Sequence, residues 1–339
     1  METISTVLDL NVYGCLFHLE GDAVKPIEML KNEFRFFLSN SPVTDGISIE
    51  ILAQEPPYGE LPTAVATTYT PRNIALTEGD CTYIAYSNRA LGIWDRSKQL
   101  FRLYSNDPDY QYEAIYLFLL SRIGELLDVK QMHRIHSMAL SYKGKAILAI
   151  LPMGGGKSTI CSSLLQYQEF NFLSDDSPMI AADGSILAFP LRLGLLPGNE
   201  KEIPEQYIRR IQRMEFGPKV LVDYEYFAPR VQPTAEPGII FLGRRSLSND
   251  CRIEEIGLIE QYKSILADCV VGLGLYQGLE FVMRSSPLEL FAKIGIAWSR
   301  FSNARKLFSK SKVYRLVLGR DRVHNAETVR QFIHKQFDD

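Results

Sequence analysis

The run Ala146–Leu151 (AILAIL) is apolar without alternation and leads straight into Pro152-Met153-Gly154-Gly155-Gly156-Lys157-Ser158. No other stretch restricts the fold as tightly. An unbroken apolar run suits a central strand covered on both faces, as in parallel sheets. After the glycines, KSTICSSLLQYQ reads as a helix, and FNFLS (170–174) returns as a short strand. Strand, glycine loop, helix and strand in that order predict an α/β domain.

Three consecutive residues without Cβ let the backbone curl round an anion and aim successive N–H groups at it. The positive end of a helix beginning near Lys157 favours phosphate at the same place. The nucleotide-loop pattern G-x-x-x-x-G-K-[ST] is met at Gly156, Lys157 and Ser158, but Leu151 stands where the first glycine belongs. That glycine mainly serves the bend out of the strand. Pro152 and Gly154 offer another way to turn, at the cost of one amide donor. The loop from Met153 through Gly154, Gly155, Gly156 and Lys157 to Ser158 and Thr159 is thus expected to hold ATP. Lys157 would reach the β- and γ-phosphates, Ser158 would ligate Mg2+, and Thr159 would bond a more proximal phosphate.

Asp175 and Asp176 stand at the carboxyl end of the second strand, 18 residues after Lys157. Ligands of α/β sheets bind at that edge. Adjacent strand residues face opposite ways, but the chain is turning at a strand's end, so both carboxylates can face the phosphates. Phosphoryl transfer asks for a metal anchor and a base for the acceptor hydroxyl, and an Asp pair can supply both. The competing use is an Asx turn before Ser177-Pro178. His136 lies one strand upstream, in a hairpin closed by Lys143-Gly144; spacing alone gives it no role. Arg192, in FPLRLGLLPG, offers a guanidinium to phosphate or acceptor, and a solvated arginine would look the same.

Residues 1 to about 105 read as a separate β-rich domain. STVLDLNVYGCLFHL, ISIEILA, CTYIAYS, ALGIWD and QLFRLYS are short and rich in β-branched and aromatic residues, with turn formers between several of them. An antiparallel sheet is expected there. In DPDYQYEAIYLFLLSRIGELLDVKQM the period changes: Ile115, Phe118, Leu119, Ile123, Leu126 and Leu127 follow helical spacing, with Asp107 or Asp109 as cap. This places the second domain at 106–339. Within it GIIFLG (238–243) and VYRLVLG (313–319) read as strands, and SPLELFAKIGIAWSRF and NAETVRQFIHKQF as helices, the latter capped by Asn325. The apolar stretch Ile265–Met283 contains Asp268, Gln277 and Glu280, which suits a buried helix or strand pair better than a membrane span.

HSMALSYKGKAILAILPMGGGKST followed by FNFLSDD resembles the catalytic core of the HPr kinase/phosphorylase family, and in particular the HPr kinase-like proteins found beside peptide-biosynthesis genes, such as lasso-peptide serine kinases. That family carries a histidine 15 residues before the loop's first position, which His136 matches, an internal loop glycine matched by Gly154, and an Asp pair after the next strand. The resemblance covers about 60 residues, Met132 to Pro190. It implies an HPr kinase-like P-loop domain with a central mixed sheet, and an ATP- and Mg2+-dependent kinase acting on a hydroxyl, a serine being the usual acceptor. Asp175 would be the acid/base at that hydroxyl, His136 would position the transferring phosphate, and Ser158 with Asp176 would hold Mg2+. Thr159 replaces the acidic residue that HPr kinases carry after their loop serine. A peptide, a protein or a small metabolite remains open as acceptor, and so does a nucleotide sensor without catalysis.

The totals narrow the partners. The net charge of -3 gives no broad positive field for nucleic acid. Arg300 to Arg322 carries eight Lys or Arg against Asp321 alone, which suits either a solvated face or a dock for an acidic peptide. Five scattered cysteines without a C-x-x-C pair fit reduced thiols, and METISTVLDLNVYG lacks the apolar core of a secretory signal; the chain is expected in the cytoplasm, off the membrane, with a homo-oligomer possible.

Overall fold

The computed structural model describes residues 6–70, 73–213, 217–271 and 287–338. It is a mixed α/β structure that divides into two compact units. The first is built on the chain up to Leu127 and the second on the chain from Asp128, except for the short piece Ile211–Pro218, which groups with the first.

Alternating burial along β1 (Thr6–Val12), β2 (Cys15–Gly21) and β3 (Ile47–Leu52) marks strands with one covered face. With β4 (Val65–Tyr69), β5 (Ile74–Glu78), β6 (Cys81–Tyr86), β7 (Ala90–Asp95) and β8 (Leu100–Tyr104) they form an eight-stranded sheet in the order β1-β2-β3-β8-β7-β6-β5-β4. It is not wholly antiparallel: β2–β3 and β3–β8 run parallel. The first of these pairs needs a crossover, and helix α1 (Val24–Glu33) lies in it. Its N-cap is Ala23, which has no side chain to cap the amides, so this helix lacks the usual capping signal in the sequence.

Helix α2 (Pro108–Val129) is capped by Asp107, whose Oδ1 accepts from the amides of Asp109 (3.0 Å) and Tyr110 (3.3 Å). It belongs, as far as Leu127, to the first unit, so the division falls some twenty residues later than the change of period suggests. The reason is packing. Phe118 stacks on Phe101 at 3.9 Å and meets Trp94 edge-on at 5.2 Å, burying the helix on the strand face.

The second unit is organised round a nine-stranded mixed sheet. Lys143 and Gly144, both at positive φ, close the hairpin of β10 (Met138–Tyr142) and β11 (Lys145–Ile150). β11 pairs parallel with β18 (Thr234–Arg245), and β18 pairs parallel with β20 (Lys312–Leu318). β12 (Phe170–Ser174) flanks β10, β19 (Arg252–Glu255) flanks β20, and the two-residue strands β9 (His133–Arg134), β13 (Met179–Ile180) and β14 (Ile186–Leu187) extend the sheet beyond β18. A separate three-stranded sheet comprises β15 (Leu193–Leu195), β17 (Gly217–Val222) and β16 (Ile208–Arg213).

The apolar run Ala146–Ile150 is buried at every residue, as a strand covered on both faces must be. Helices α3 (Lys157–Leu164) and, after the short α4 (Tyr224–Phe227), α5 (Leu258–Ser264) and α6 (Pro287–Ser309), the C-terminal α7 (Arg322–Phe337) complete the unit. Ile160, Cys161 and Leu164 of α3 and Val329 and Ile333 of α7 share one core with Leu140, Ile147 and Phe241 of the sheet. Asp321 caps α7, accepting from the amides of Val323 and His324, whereas Asn325 lies inside the helix and ties both backbone groups of Gly319. Of the apolar stretch Ile265–Met283, Ile265–Val270 forms a π-helical turn continuing α5; its part beyond Val271 lies outside the described residues. Among the described residues no helix is long and apolar enough to cross a membrane.

Candidate active site

β10 runs antiparallel to both β11 and β12, with Met138 opposite Ala149 and Ala139 opposite Ser174. The carboxyl ends of β11 and β12 and the amino end of β10 therefore share one sheet edge. The glycine loop, the aspartate pair and His136 are the residues that leave those three ends.

The loop turns as three glycines allow. Gly154 (φ 72°) and Gly156 (φ 102°) occupy the left-handed region. The Gly155 amide donates to the Pro152 carbonyl at 2.9 Å, and a Cβ on Gly155 would stand 2.8 Å from that same oxygen. Gly156 is the N-cap of α3, Met153 is 77% exposed beside the turn, and Thr159 is half-buried in the first helical turn. Leu151, the departure from the nucleotide-loop pattern, is only 2% exposed. Its side chain fills the place where Gly243 of β18 has none, since a Cβ there would overlap Leu151. The glycine missing from the loop has its counterpart on the neighbouring strand.

Lys157 is buried, and its Nζ reaches three groups: Leu151 O (2.8 Å), Pro152 O (3.5 Å) and His136 Nε2 (2.8 Å). Burial lowers its pKa, against the pull of Asp176, Asp175 and Asp268. The other ring nitrogen, His136 Nδ1, lies 3.0 Å from Asp176 Oδ1. A chain of contacts Lys157–His136–Asp176 thus crosses the site. The Asp176 side chain is half exposed, and although burial pushes its carboxyl up, His136, Lys157 and Lys219 together hold it below the ordinary aspartate value.

Asp175 is 6% exposed and faces the helix instead. Its Oδ2 accepts from the Ser158 hydroxyl (2.9 Å) and from the Gly194 amide (3.1 Å), while its Oδ1 is buried with no hydrogen-bond partner among the described residues. Burial, then the charge of Asp176, pushes its pKa up to about 6, against the Gly194 amide, Lys219 and Ser158. The loop serine therefore sits with Asp175 and the histidine with Asp176. The expectation pairs Ser158 with Asp176 at a metal; here the Ser158 hydroxyl donates to Asp175.

Three further residues have no counterpart in the motif reading. Gly194 of β15 approaches Asp175 through its amide, and Lys219 of β17 lies over Gly194. Asp268, on the π-helical turn, accepts from Ser264 (2.7 Å) and acts on Lys157 and His136 through its charge. A glycine inside an apolar strand such as LRLGLL marks a close approach and was the one available signal; Lys219 and Asp268 are brought in by the fold alone. Arg192 is half-buried two residues before Gly194.

One other constellation resembles a nucleophile relay: Ser299 Oγ, His133 Nε2 and Nδ1, and Asp128 Oδ1, each link 2.8 Å. His133 is sealed from solvent, Ser299 lies inside α6 where the helix holds the amides, and Asp128 is also bonded by Arg300 (2.8 Å). These contacts tie Asp128, His133, Ser299 and Arg300 together within the fold.

A scan of the chain against protein-family models finds no match, and a search of curated proteins finds none either.

Proposed function

We propose that the protein is an ATP- and Mg2+-dependent phosphotransferase with an HPr kinase-like P-loop domain, acting on a hydroxyl, with a serine of a peptide or protein as the acceptor of first choice. The observation that carries this reading is the meeting at one sheet edge of a glycine-lined helix N-terminus, a buried lysine and two carboxylates in different settings. A phosphate-binding loop alone would suit any anion. The paired carboxylates add the two functions that phosphoryl transfer needs.

The residues suit Mg2+. Mg2+ at triphosphates takes one or two carboxylates and completes its shell with phosphate oxygens and water. No cluster of three or more His, Cys, Asp or Glu side chains is needed for that, and none occurs among the described residues. Ser158 Oγ and the unpartnered Asp175 Oδ1 are the oxygens that would hold the ion. A buried carboxylate with a raised pKa gains from a nearby cation. When bound, the ion neutralises charge on the transferring phosphates.

The loop amides and Lys157 then bind and orient the triphosphate. Asp176, half exposed and held ionised, takes the proton of the acceptor hydroxyl, with His136 fixing its orientation and linking it to Lys157. The assignment is thus the reverse of the one the family resemblance implies for the two aspartates.

The test is incubation with γ-labelled ATP, Mg2+ and candidate serine peptides or a cell lysate, followed by mass identification of labelled species. Wild-type protein labels an acceptor and Asp176→Asn does not. Undiminished labelling by Asp176→Asn would remove Asp176 as base. Nucleotide binding that alters a partner's affinity, with no acceptor ever labelled, would replace the kinase by a sensor.

A further inference from the structure

Gly194 and Lys219 lie on paired strands. β15 and β17 are antiparallel with Gly194 opposite Leu221, so Lys219, two residues before Leu221, is the diagonal neighbour on the same sheet face. The lysine uses the space that glycine leaves: a Cβ at position 194 would overlap both Cε and Nζ of Lys219. The Gly194 amide bonds Asp175 at 3.1 Å. The ammonium group is therefore laid across the residue that holds the aspartate.

The charge of the site makes this placement informative. Asp175, Asp176 and Asp268 face one buried lysine, Lys157. A triphosphate adds further negative charge, and in the transition state that charge spreads over the equatorial oxygens of the transferred group. Lys219 favours the ionised forms of both Asp175 and Asp176, so its charge already reaches the two carboxylates between which the transferred group would sit. A lysine whose only task was solubility would not require a glycine beneath it.

We infer that Lys219, laid across Gly194 beside Asp175, is a second cation of the phosphoryl-transfer site and contacts the transferred group. The inference rests on the kinase reading above. Lys157 serves the bound triphosphate from the loop; Lys219 serves the charge that develops during transfer. Its removal should weaken transition-state binding far more than ground-state binding.

The experiment measures the affinity of MgADP alone and of MgADP with aluminium fluoride, a mimic of the transferring phosphoryl group, for the full-length wild type and for Lys219→Met, Lys219→Arg and Gly194→Ala. Turnover of ATP is followed in parallel. Lys219→Met should bind MgADP within about threefold of wild type but lose about 100-fold in affinity for the fluoride complex and in kcat. Lys219→Arg should recover part of both, which a packing role would not require. If Lys219→Met fails to fold, Gly194→Ala keeps the lysine, displaces its ammonium and should show the same selective loss. Wild-type affinity of Lys219→Met for the fluoride complex, or equal losses for both ligands, would overturn the inference while leaving the nucleotide site intact. A wild type that binds neither ligand would instead overturn the kinase reading, and this inference with it.

Discussion

In the first unit the buried carboxylate of Glu33 receives the hydroxyl of Tyr112. In the second, Asp175 is equally sheltered, yet one of its oxygens meets no partner among the described residues and the charge of Asp176 stands beside it. Both arrangements carry the cost of taking a charge out of water. The first recovers it within the fold. Under the proposed function the second recovers it from the bound cation, as binding sites do. On that proposal, buried charge separates a group that holds the structure from one that takes a ligand.

Changes on the two sides should therefore differ in kind. The largest effect is expected at Asp176: replacement by Asn should lower phosphoryl transfer by about 10²–10⁴-fold while nucleotide affinity and melting temperature stay near wild type, as steady-state kinetics and calorimetry would show. Leu151→Gly restores the nucleotide-loop pattern but removes the side chain that fills the notch at Gly243. It should lose about 2–5 kcal/mol in denaturant unfolding without gaining nucleotide affinity. A tighter nucleotide complex in that variant would show Leu151 to be a defect of the loop.

The third change reads the strain on Asp175. Its pKa is about 6 in the folded state against 3.8 for an ordinary aspartate. The folded state then binds the extra proton between those values, so stability falls as pH rises through that window, and the penalty is complete above it. Asp175→Asn, measured in EDTA, should be more stable than wild type above pH about 6 by on the order of 1–3 kcal/mol. The gain should vanish near pH 4. The smallest effect belongs to the first unit. Tyr112→Phe takes a donor from Glu33 and should cost about 1–2 kcal/mol of stability, with nucleotide affinity and turnover unchanged.

The sequence carries the strand, glycine loop, helix and aspartate pair plainly because each is local: an unbroken apolar run, residues without Cβ, and carboxylates at a strand's end. It also contains the packing reason for Leu151, but split between residues 151 and 243, which only the β11–β18 pairing joins. The parallel pairs β2–β3 and β3–β8 hide for the same reason, since the crossover depends on a short helix without a marked start. The partition of the two aspartates escapes local reading altogether. Adjacent residues at a turning chain take opposite neighbours, Ser158 and Gly194 for one and His136 for the other, and spacing does not say which takes which.

That partition is the centre of the account, and divalent-ion titration of the ATP complex tests it directly. Mn2+ binding to the nucleotide-loaded protein, followed by its electron-spin signal, should weaken by at least about tenfold in both Ser158→Ala and Asp175→Asn and stay near wild type in Asp176→Asn. Weakening in Asp176→Asn with wild-type affinity in Asp175→Asn would contradict it and return the metal to Asp176.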